Sequence, residues 1–263
     1  RLFSHPDVLR PCTGWDGVRI VRCLSPAIEG FCREQIGRSD SISMRGFESR
    51  MNYTIKEIIY TLQGEGAQVG RPAVFCRFAG CNLWSGREED RAHAVCRFCD
   101  TDFVGTDGPG GGRFDSAEEL AKAIYEKWPK DSSADAQPFV VMTGGEPLLQ
   151  LDETLISELH NLDFEVAVET NGTIPAPTRL DWICVSPKAG THLIIEEGDE
   201  LKLAYPQEGI EPADYEQLDF QHFFLQPIDG PERESNTRHA VEYCLNHPQW
   251  RISLQIHKIL GLL

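Results

Sequence analysis

Strand-like and helix-like segments alternate along the chain from residue 51 onward, and this alternation restricts the fold more than any other feature of the sequence. Short runs of β-branched and aromatic residues predict strands, and apolar residues three or four positions apart predict helices between them. Strands that alternate with helices are typical of βαβ units and a parallel sheet. We therefore predict an α/β fold with its chemistry at the carboxyl ends of the strands.

The predicted elements are short and are separated by turn residues. The predicted strands cover residues 53–62, 73–78, 139–142, 164–168, 182–185, 200–204, 223–226 and 251–255. The predicted helices cover residues 116–127, 152–162 and 236–246, with a shorter one at 211–217, and Ser116 or Asp115 is the expected N-cap of the first. The glycine-rich segment 108–112 is predicted to be a loop, and it lacks the Lys-Ser/Thr pair of a phosphate-binding loop.

Residues 1–50 differ from the remainder of the chain. They contain 8 Arg, no Lys and 6 acidic residues, so they carry +2 while the remainder carries −18. Their apolar residues follow neither the period of a strand nor that of a helix, and their acidic residues argue against a transit peptide. We predict that residues 1–50 are a non-native or disordered extension and that residues 51–263 form the functional domain.

The composition limits the possible partners. The formal net charge of −16 disfavours nucleic acid and anionic membrane surfaces. No apolar run approaches the roughly 18 residues that a membrane span requires, and no secretory signal stands at the start of the chain. We expect a cytoplasmic protein, in which a local group of cysteines more often binds a metal than forms disulfides.

Three cysteines carry the clearest chemical signal. Two residues separate Cys96 from Cys99, and 14 residues separate Cys81 from Cys96. A C-x₂-C pair allows two thiolates to reach one metal centre from a single turn. Three thiolates would leave one iron of a four-iron cluster without a protein ligand, and that iron could bind a substrate or cofactor.

Cys76 leaves a second interpretation open. With the other three cysteines it could complete a four-thiolate site for structural zinc or a closed iron–sulfur cluster. Strand alternation instead places Cys76 beside Val74 and Phe78, as expected of a buried core thiol. Cys184 and Cys244 are also predicted to be core residues. His93 is a further candidate ligand, although a histidine in so charged a loop is more typical of a solvated side chain.

Several motifs in a fixed order resemble the radical S-adenosylmethionine superfamily and, within it, the 7-carboxy-7-deazaguanine synthase family. They are residues 60–66 (YTLQGEG), 76–84 (CRFAGCNLW), 96–103 (CRFCDTDF), 143–147 (TGGEP), 169–172 (ETNG) and 185–188 (VSPK). The superfamily usually has three residues between its first two cysteines, and this family shares the longer insertion seen here. The resemblance covers residues 51–263 and implies an incomplete, reduced (β/α) barrel that is usually a homodimer.

The resemblance also implies the reaction and the cofactors. The family is a lyase of queuosine biosynthesis that converts 6-carboxy-5,6,7,8-tetrahydropterin to 7-carboxy-7-deazaguanine and ammonia. It uses a [4Fe–4S] cluster, S-adenosylmethionine and Mg²⁺, with an outside reductant such as flavodoxin or ferredoxin. We expect Cys81, Cys96 and Cys99 to hold the cluster and Thr101 to contact Mg²⁺. No catalytic side chain is predicted beyond the radical that the cofactor carries.

Two groups of residues are expected to bind the small molecules. Those expected at S-adenosylmethionine are Phe98, Cys99, Asp100, Gly145, Glu146, Ser186, Pro187, Lys188, Gln226, Pro227, Ile228 and Asp229. Those expected at the pterin are Leu62, Gln63, Gly64, Arg77, Thr143, Glu169 and the terminal carboxylate of Leu263. Among them Arg77 suits the substrate carboxylate, because its guanidinium fork matches carboxylate geometry.

Competing hypotheses are a zinc-stabilised Cys₄ binding module and a radical enzyme that activates a protein partner.

Overall fold

Strands and helices alternate along the part of the chain that the computed structural model describes, residues 52–130 and 136–262. The predicted extension at residues 1–50 and the terminal Leu263 lie outside these ranges. The strands are β1 (Tyr53–Leu62), β2 (Pro72–Phe78), β3 (Gly112–Phe114), β4 (Phe139–Gly144), β5 (Glu165–Thr170), β6 (Trp182–Val185), β7 (Glu197–Tyr205), β8 (Asp219–Pro227) and β9 (Trp250–Ile252). The helices are α1 (Ala117–Tyr125), α2 (Glu153–Asn161), α3 (Arg233–Asn246) and α4 (Ile256–Leu260).

All these strands form one open sheet in the order β3-β1-β2-β4-β5-β6-β7-β8-β9. β1 is antiparallel to both β2 and β3, and each later neighbour pair from β2 to β9 is parallel. The predicted α/β fold is confirmed. Because parallel strands end at the same edge of a sheet, the segments that follow β2 and β4 to β8 are brought together there.

The side chains of each strand alternate between the two faces of the sheet, as β2 shows. Val74, Cys76 and Phe78 point into the main hydrophobic core on the helix-covered face, so the predicted core position of Cys76 is confirmed. Phe75 and Arg77 point to the opposite face. Burying one large apolar side chain contributes about 1.5–3 kcal/mol, so this core contributes much of the stability. The opposite face buries a smaller apolar cluster of Ala73, Phe139, Val141 and Ala167, and the cavity lies on the same face.

Local capping signals fix where two of the helices begin. Ser116 Oγ accepts a hydrogen bond from the Glu119 backbone N–H at the start of α1, which confirms one of the two predicted caps. Asp152 Oδ1 accepts from the Leu155 N–H at the start of α2, over 2.9 Å, and also from the hydroxyl of Tyr53. The cap of α2 is thereby joined to β1, 99 residues earlier.

The structure corrects several boundaries. The segment predicted as a strand over residues 251–255 contains the end of β9, and its last residues lead into the short helix α4, which was not predicted. The last glycine of segment 108–112 begins β3, which was also not predicted. The helix predicted at residues 211–217 is a single 3₁₀ turn, Pro212–Tyr215.

None of the helices in the described ranges is long and apolar enough to cross a membrane.

Candidate active site at the carboxyl edge of the sheet

A cavity of about 470 Å³ lies at the carboxyl ends of the parallel strands, on the face opposite the helix-covered core. This volume is within the range of small-molecule sites. Its walls come from the ends of β1, β2 and β4 to β8, from the loop after β2, and from the segment around α4. The expected site residues that line it are Leu62, Gln63, Gly64, Arg77, Cys81, Cys96, Phe98, Cys99, Asp100, Thr101, Thr143, Gly145, Glu169, Ser186, Lys188, Gln226, Pro227, Ile228 and Asp229.

Two of the expected residues that the structure describes do not line this cavity. Glu146 and Pro187 lie behind its wall, and Leu263 is outside the described ranges. The roles predicted for the lining residues as ligands of particular molecules stay predictions, but the residues themselves form one continuous surface. Tertiary structure therefore joins motifs that are spread over almost 170 residues of sequence, from Leu62 to Asp229.

Cys81, Cys96 and Cys99 all face the cavity, whereas Cys76 is fully buried on the other side of β2. Burial raises the pKa of the Cys81 thiol. A hydrogen bond from the Cys96 thiol lowers the pKa of Cys99 to about 6, and donating that bond is the chief reason that the pKa of Cys96 is raised. Cys96 and Cys99 are therefore close neighbours with Cys81 beside them.

The thiols of Cys81, Cys96 and Cys99 are the candidate metal ligands of this cavity wall. Among the described residues, no three His, Cys, Asp or Glu side chains converge as ligands of a single ion. Cys81 and Cys99 pack against a small apolar cluster of Trp84, Ala94 and Phe103. His93, the other candidate ligand, is exposed. The donor set fits a multi-iron cluster held by three thiolates, and it does not fit the four-thiolate zinc site, which would need Cys76 on the same side.

The Gly144-Gly145-Glu146 turn brings the end of β4 against the cysteine loop. A Cβ atom at Gly145 would lie 2.0 Å from the Gly80 carbonyl oxygen, so only glycine permits this approach. The Glu146 carboxylate is fully buried and accepts hydrogen bonds from Leu148 N, Thr170 Oγ1 and Asn171 N. These donors join the turn after β4 to the end of β5, and the direct contact with a cofactor that we expected of Glu146 stays a prediction.

A lysine from the C-terminal segment connects two expected cofactor-binding segments. Lys258 Nζ lies 2.5 Å from Asp100 Oδ2 and 2.7 Å from Asp229 Oδ2. Hydrogen bonds with these two partners raise the pKa of Lys258 against the opposing effect of burial, and Lys258 in turn lowers the pKa of Asp229. Helix α4 therefore joins the cysteine loop to the end of β8.

Helix α4 approaches the other wall through a glycine. The Ile256 N–H donates to the Gly64 carbonyl over 2.9 Å, and a Cβ atom at Gly64 would lie 2.3 Å from His257 Nδ1. The backbone of the loop after β1 is thus in direct contact with α4. Sequence reasoning missed α4 and Lys258, because a short helix near a chain end carries no strong period.

Charged pairs also organise the walls formed by β1 and β2. Arg77 Nε donates to Glu57 Oε1 over 2.7 Å. Lys56 is 7% exposed, and its ammonium contacts Asp102, Asp107 and the Val104 carbonyl at 2.7–2.9 Å. Lys56 thereby anchors the loop that carries Thr101.

A buried lysine was also missed by the sequence analysis. Lys202 Nζ lies 2.7 Å from Glu65 Oε2 and 3.3 Å from Glu169 Oε1. The signal was present in the sequence, since Lys202 stands between Leu201 and Leu203 inside a predicted strand. A charged residue at an interior strand position is rarely buried unless it is paired.

Comparisons with known proteins agree with this geometry. The chain is 59% identical over 212 residues to a 7-carboxy-7-deazaguanine synthase of Burkholderia multivorans, covering 81% of this chain and 100% of the relative. It is 56% identical over 215 residues to one of Nitratidesulfovibrio vulgaris, with the same coverage. No family model matches the chain.

A solved structure extends the comparison to the fold. The crystal structure of QueE from Escherichia coli matches with a TM-score of 0.58 and 28% identity, and the match covers 78% of this chain and 94% of that one. Together with the open sheet described above, this similarity confirms the predicted incomplete (β/α) barrel.

Proposed function

Because this chain belongs to the 7-carboxy-7-deazaguanine synthase family, we propose that it converts 6-carboxy-5,6,7,8-tetrahydropterin to 7-carboxy-7-deazaguanine and ammonia. The product and ammonia together contain the same atoms as the substrate, so the reaction is a rearrangement with elimination and involves no net oxidation. The enzyme is thus a carbon–nitrogen lyase of queuosine biosynthesis. The observation that carries the proposal is the presence of Cys81, Cys96, Cys99 and Arg77 on the wall of one cavity.

The cysteine geometry supports a [4Fe–4S] cluster held by Cys81, Cys96 and Cys99, with S-adenosylmethionine bound beside it. When bound, these two groups supply the radical chemistry that a protein side chain cannot perform. The protein positions the ligands. Lys188, whose ammonium donates to Ser186 Oγ over 2.7 Å, and the segment ending at Asp229 form the wall next to the cysteines.

Other side chains of the cavity are suited to the pterin. Arg77 presents a guanidinium to the substrate carboxylate, and a charge-assisted pair of this kind is both strong and directional. Gln63 and Glu169, joined by a hydrogen bond of 3.0 Å, offer polar atoms to the ring edge. Thr143 lines the same wall. The carboxylate of Leu263 is proposed as a further contact.

We also propose a Mg²⁺ site at Thr101. Mg²⁺ retains several waters and commonly takes the remaining ligands from substrate oxygens. The Thr101 hydroxyl would supply one oxygen and the substrate carboxylate another. Lys56 supports this arrangement, because it fixes the loop after Thr101 through Asp102 and Asp107.

Further parts of the proposal concern the cellular setting. A flavodoxin or ferredoxin is proposed as the reductant, and the enzyme is proposed to be a cytoplasmic homodimer. A reducing compartment suits the chain, since all six cysteines of the described ranges are free thiols. The net charge of −16 disfavours nucleic acid as a partner.

The two competing hypotheses have less support. A Cys₄ zinc module requires Cys76 to join the other thiols, but Cys76 packs in the main core. An enzyme that activates a protein partner needs access for a polypeptide, whereas this cavity is of small-molecule size.

An anaerobic assay tests the proposed function. Protein purified without oxygen, given dithionite, S-adenosylmethionine, Mg²⁺ and carboxytetrahydropterin, should release 7-carboxy-7-deazaguanine and ammonia in equal amounts. The protein should be brown before the assay. Zinc in place of iron, or no turnover of the pterin by iron-loaded protein, would overturn the proposal.

A further inference from the structure

Four ionisable side chains lie on the cavity-facing side of the sheet: Glu200 and Lys202 are buried, and Glu65 and Glu169 are partly exposed. Glu169 on β5 and Glu200 on β7 are both in register with Cys184 on the strand between them. Lys202 is two residues beyond Glu200 on β7, so it faces the same side and is nearer to the carboxyl edge. Glu65 reaches the group from the loop after β1.

Lys202 is the cation at the centre of this group, and its side chain is 6% exposed. Its ammonium lies 2.7 Å from Glu65 Oε2 and 3.3 Å from Glu169 Oε1. The two carboxylates come from elements that are more than 100 residues apart in sequence. A buried ammonium needs such partners, so Lys202 joins the loop after β1 to the end of β5.

The bonds at Glu169 are divided unequally between its two oxygens. Oε1 accepts from both Lys202 Nζ and Gln63 Nε2, at 3.3 and 3.0 Å. Oε2 has no hydrogen bond to any other described residue, and Glu169 lines the cavity. Lys202 and Gln63 together therefore fix one oxygen of the carboxylate and leave the other available to a ligand.

Glu65 differs, because the protein uses both of its oxygens. Oε2 contacts Lys202, and Oε1 accepts from Gln255 Nε2 over 3.1 Å. Although burial alone would raise it, the charge and hydrogen bond of Lys202 lower the pKa of Glu65 to about 2. Glu65 thus acts as the fixed support of Lys202, while Glu169 is the member of the pair that faces a ligand.

We propose that Lys202 is a positioning residue for the pterin ring, acting through Glu169 and Gln63. This inference rests on the proposed function and adds a residue that the motifs did not identify. The aminopyrimidinone edge of a pterin carries adjacent N–H donors, and a carboxylate oxygen is their natural acceptor. Lys202 binds Oε1 of Glu169, so that Oε2 points to those donors. Gln63 is held by the same oxygen, Oε1.

The test compares Lys202→Met, which has similar length but no charge, with Lys202→Arg and with Lys122→Met. Lys122 is an exposed residue on α1 and serves as the matched control. Michaelis constants for carboxytetrahydropterin and for S-adenosylmethionine are measured separately, and equilibrium binding of the pterin is measured by calorimetry. We expect Lys202→Met to raise the pterin KM and Kd by about tenfold or more, the usual effect of losing a charge-assisted bond.

The two Michaelis constants separate positioning from a general structural role. The KM for S-adenosylmethionine should stay within about twofold of the wild-type value, Lys202→Arg should recover part of the pterin affinity, and Lys122→Met should change nothing. Equal loss of affinity for both small molecules in Lys202→Met would overturn the inference, as would an unchanged pterin Kd.

A second variant covers the case in which Lys202→Met does not fold. Lys202→Met combined with Glu65→Gln removes the lysine and its tightest carboxylate together, so it leaves less unpaired charge in the interior. Cluster-loaded protein of this double variant should show the same selective loss of pterin affinity, and a wild-type pterin Kd would overturn the inference. If wild-type protein binds the pterin without turning it over, the proposed function fails while the binding comparison still decides the role of Lys202.

Discussion

Arg77 and Glu57 face each other directly across the antiparallel pair of β1 and β2, and Arg77 Nε donates to Glu57 Oε1 over 2.7 Å. Both side chains line the cavity and are only about one fifth exposed. The two terminal amino groups of Arg77 make no hydrogen bond to another described residue, so both can bind a ligand. Glu57 therefore orients the guanidinium so that these groups can bind a carboxylate.

Replacing Arg77 by Lys should weaken binding of the carboxylated pterin by roughly 1.5–3 kcal/mol, or about ten- to a hundredfold in KM, because a two-point contact becomes a single one. Glu57→Gln keeps a hydrogen bond to Arg77 and should raise KM only a few-fold. The control ligand is tetrahydropterin without the carboxylate, which should bind the wild type and both variants equally. An Arg77→Lys variant that loses affinity for both pterins alike would contradict the assignment.

Replacing Cys81, Cys96 or Cys99 by Ala should abolish the brown colour, because two thiolates do not retain a four-iron cluster that three would hold. Cys76→Ala should keep full iron content and lose only about 1–2 kcal/mol of stability, from a small cavity in the core. Cys244→Ala on α3 is the matched control. Iron analysis and visible absorption of anaerobically purified protein give the result, and a colourless Cys76→Ala protein would show that the four-thiolate interpretation is right.

Lys258→Met should raise the KM for S-adenosylmethionine several-fold, since Asp100 and Asp229 would lose the cation that joins their segments. The groups are partly exposed, so the pairs contribute no more than about 1 kcal/mol each. The effect should shrink as salt is raised from low to about 0.5 M, because salt screens the wild-type pairs. Arg238→Met, which breaks an exposed pair on α3, should leave that KM unchanged at every salt concentration.

Asp152→Ala should destabilise the protein by about 1–2 kcal/mol, since it removes the N-cap of α2 and the acceptor of the Tyr53 hydroxyl. Asp152→Asn keeps an oxygen for the Leu155 N–H and should recover most of that stability. Tyr53→Phe removes only the hydroxyl that donates to Asp152, so it measures the stability that this hydrogen bond contributes. Denaturant unfolding measures the stability of all three variants. If Asp152→Ala and Asp152→Asn unfold at the same midpoint, the N-cap does not stabilise the protein.

The elements with a strong local pattern were predictable from sequence. β6 has the predicted bounds, Trp182–Val185, and α2 differs from its predicted range by one residue at each end. Both have the apolar period of their type, and α2 also has a capping aspartate. α4 and β3 were missed because each is five residues or fewer and depends on contacts with distant segments for its stability.

The candidate site was predictable to the extent that its residues lie in motifs. Almost all the expected residues line the cavity, and Glu146 is an exception because its carboxylate turns toward Thr170 and Asn171. Lys202 and Lys258 belong to no motif. Their partners Glu65 and Asp100 are 137 and 158 residues away, so no local pattern could connect them.

The sequence by itself determined the alternating α/β architecture, the thiol spacing and the order of the motifs, because periodicity and short spacings act between residues that are near each other along the chain. Only the tertiary structure decided that Cys76 turns into the core while the other three thiols share a cavity. It also decided which carboxylates surround Lys202 and Lys258. The physical reason is that an open parallel sheet brings the ends of distant strands to one edge, where burial requires each charge to find a partner.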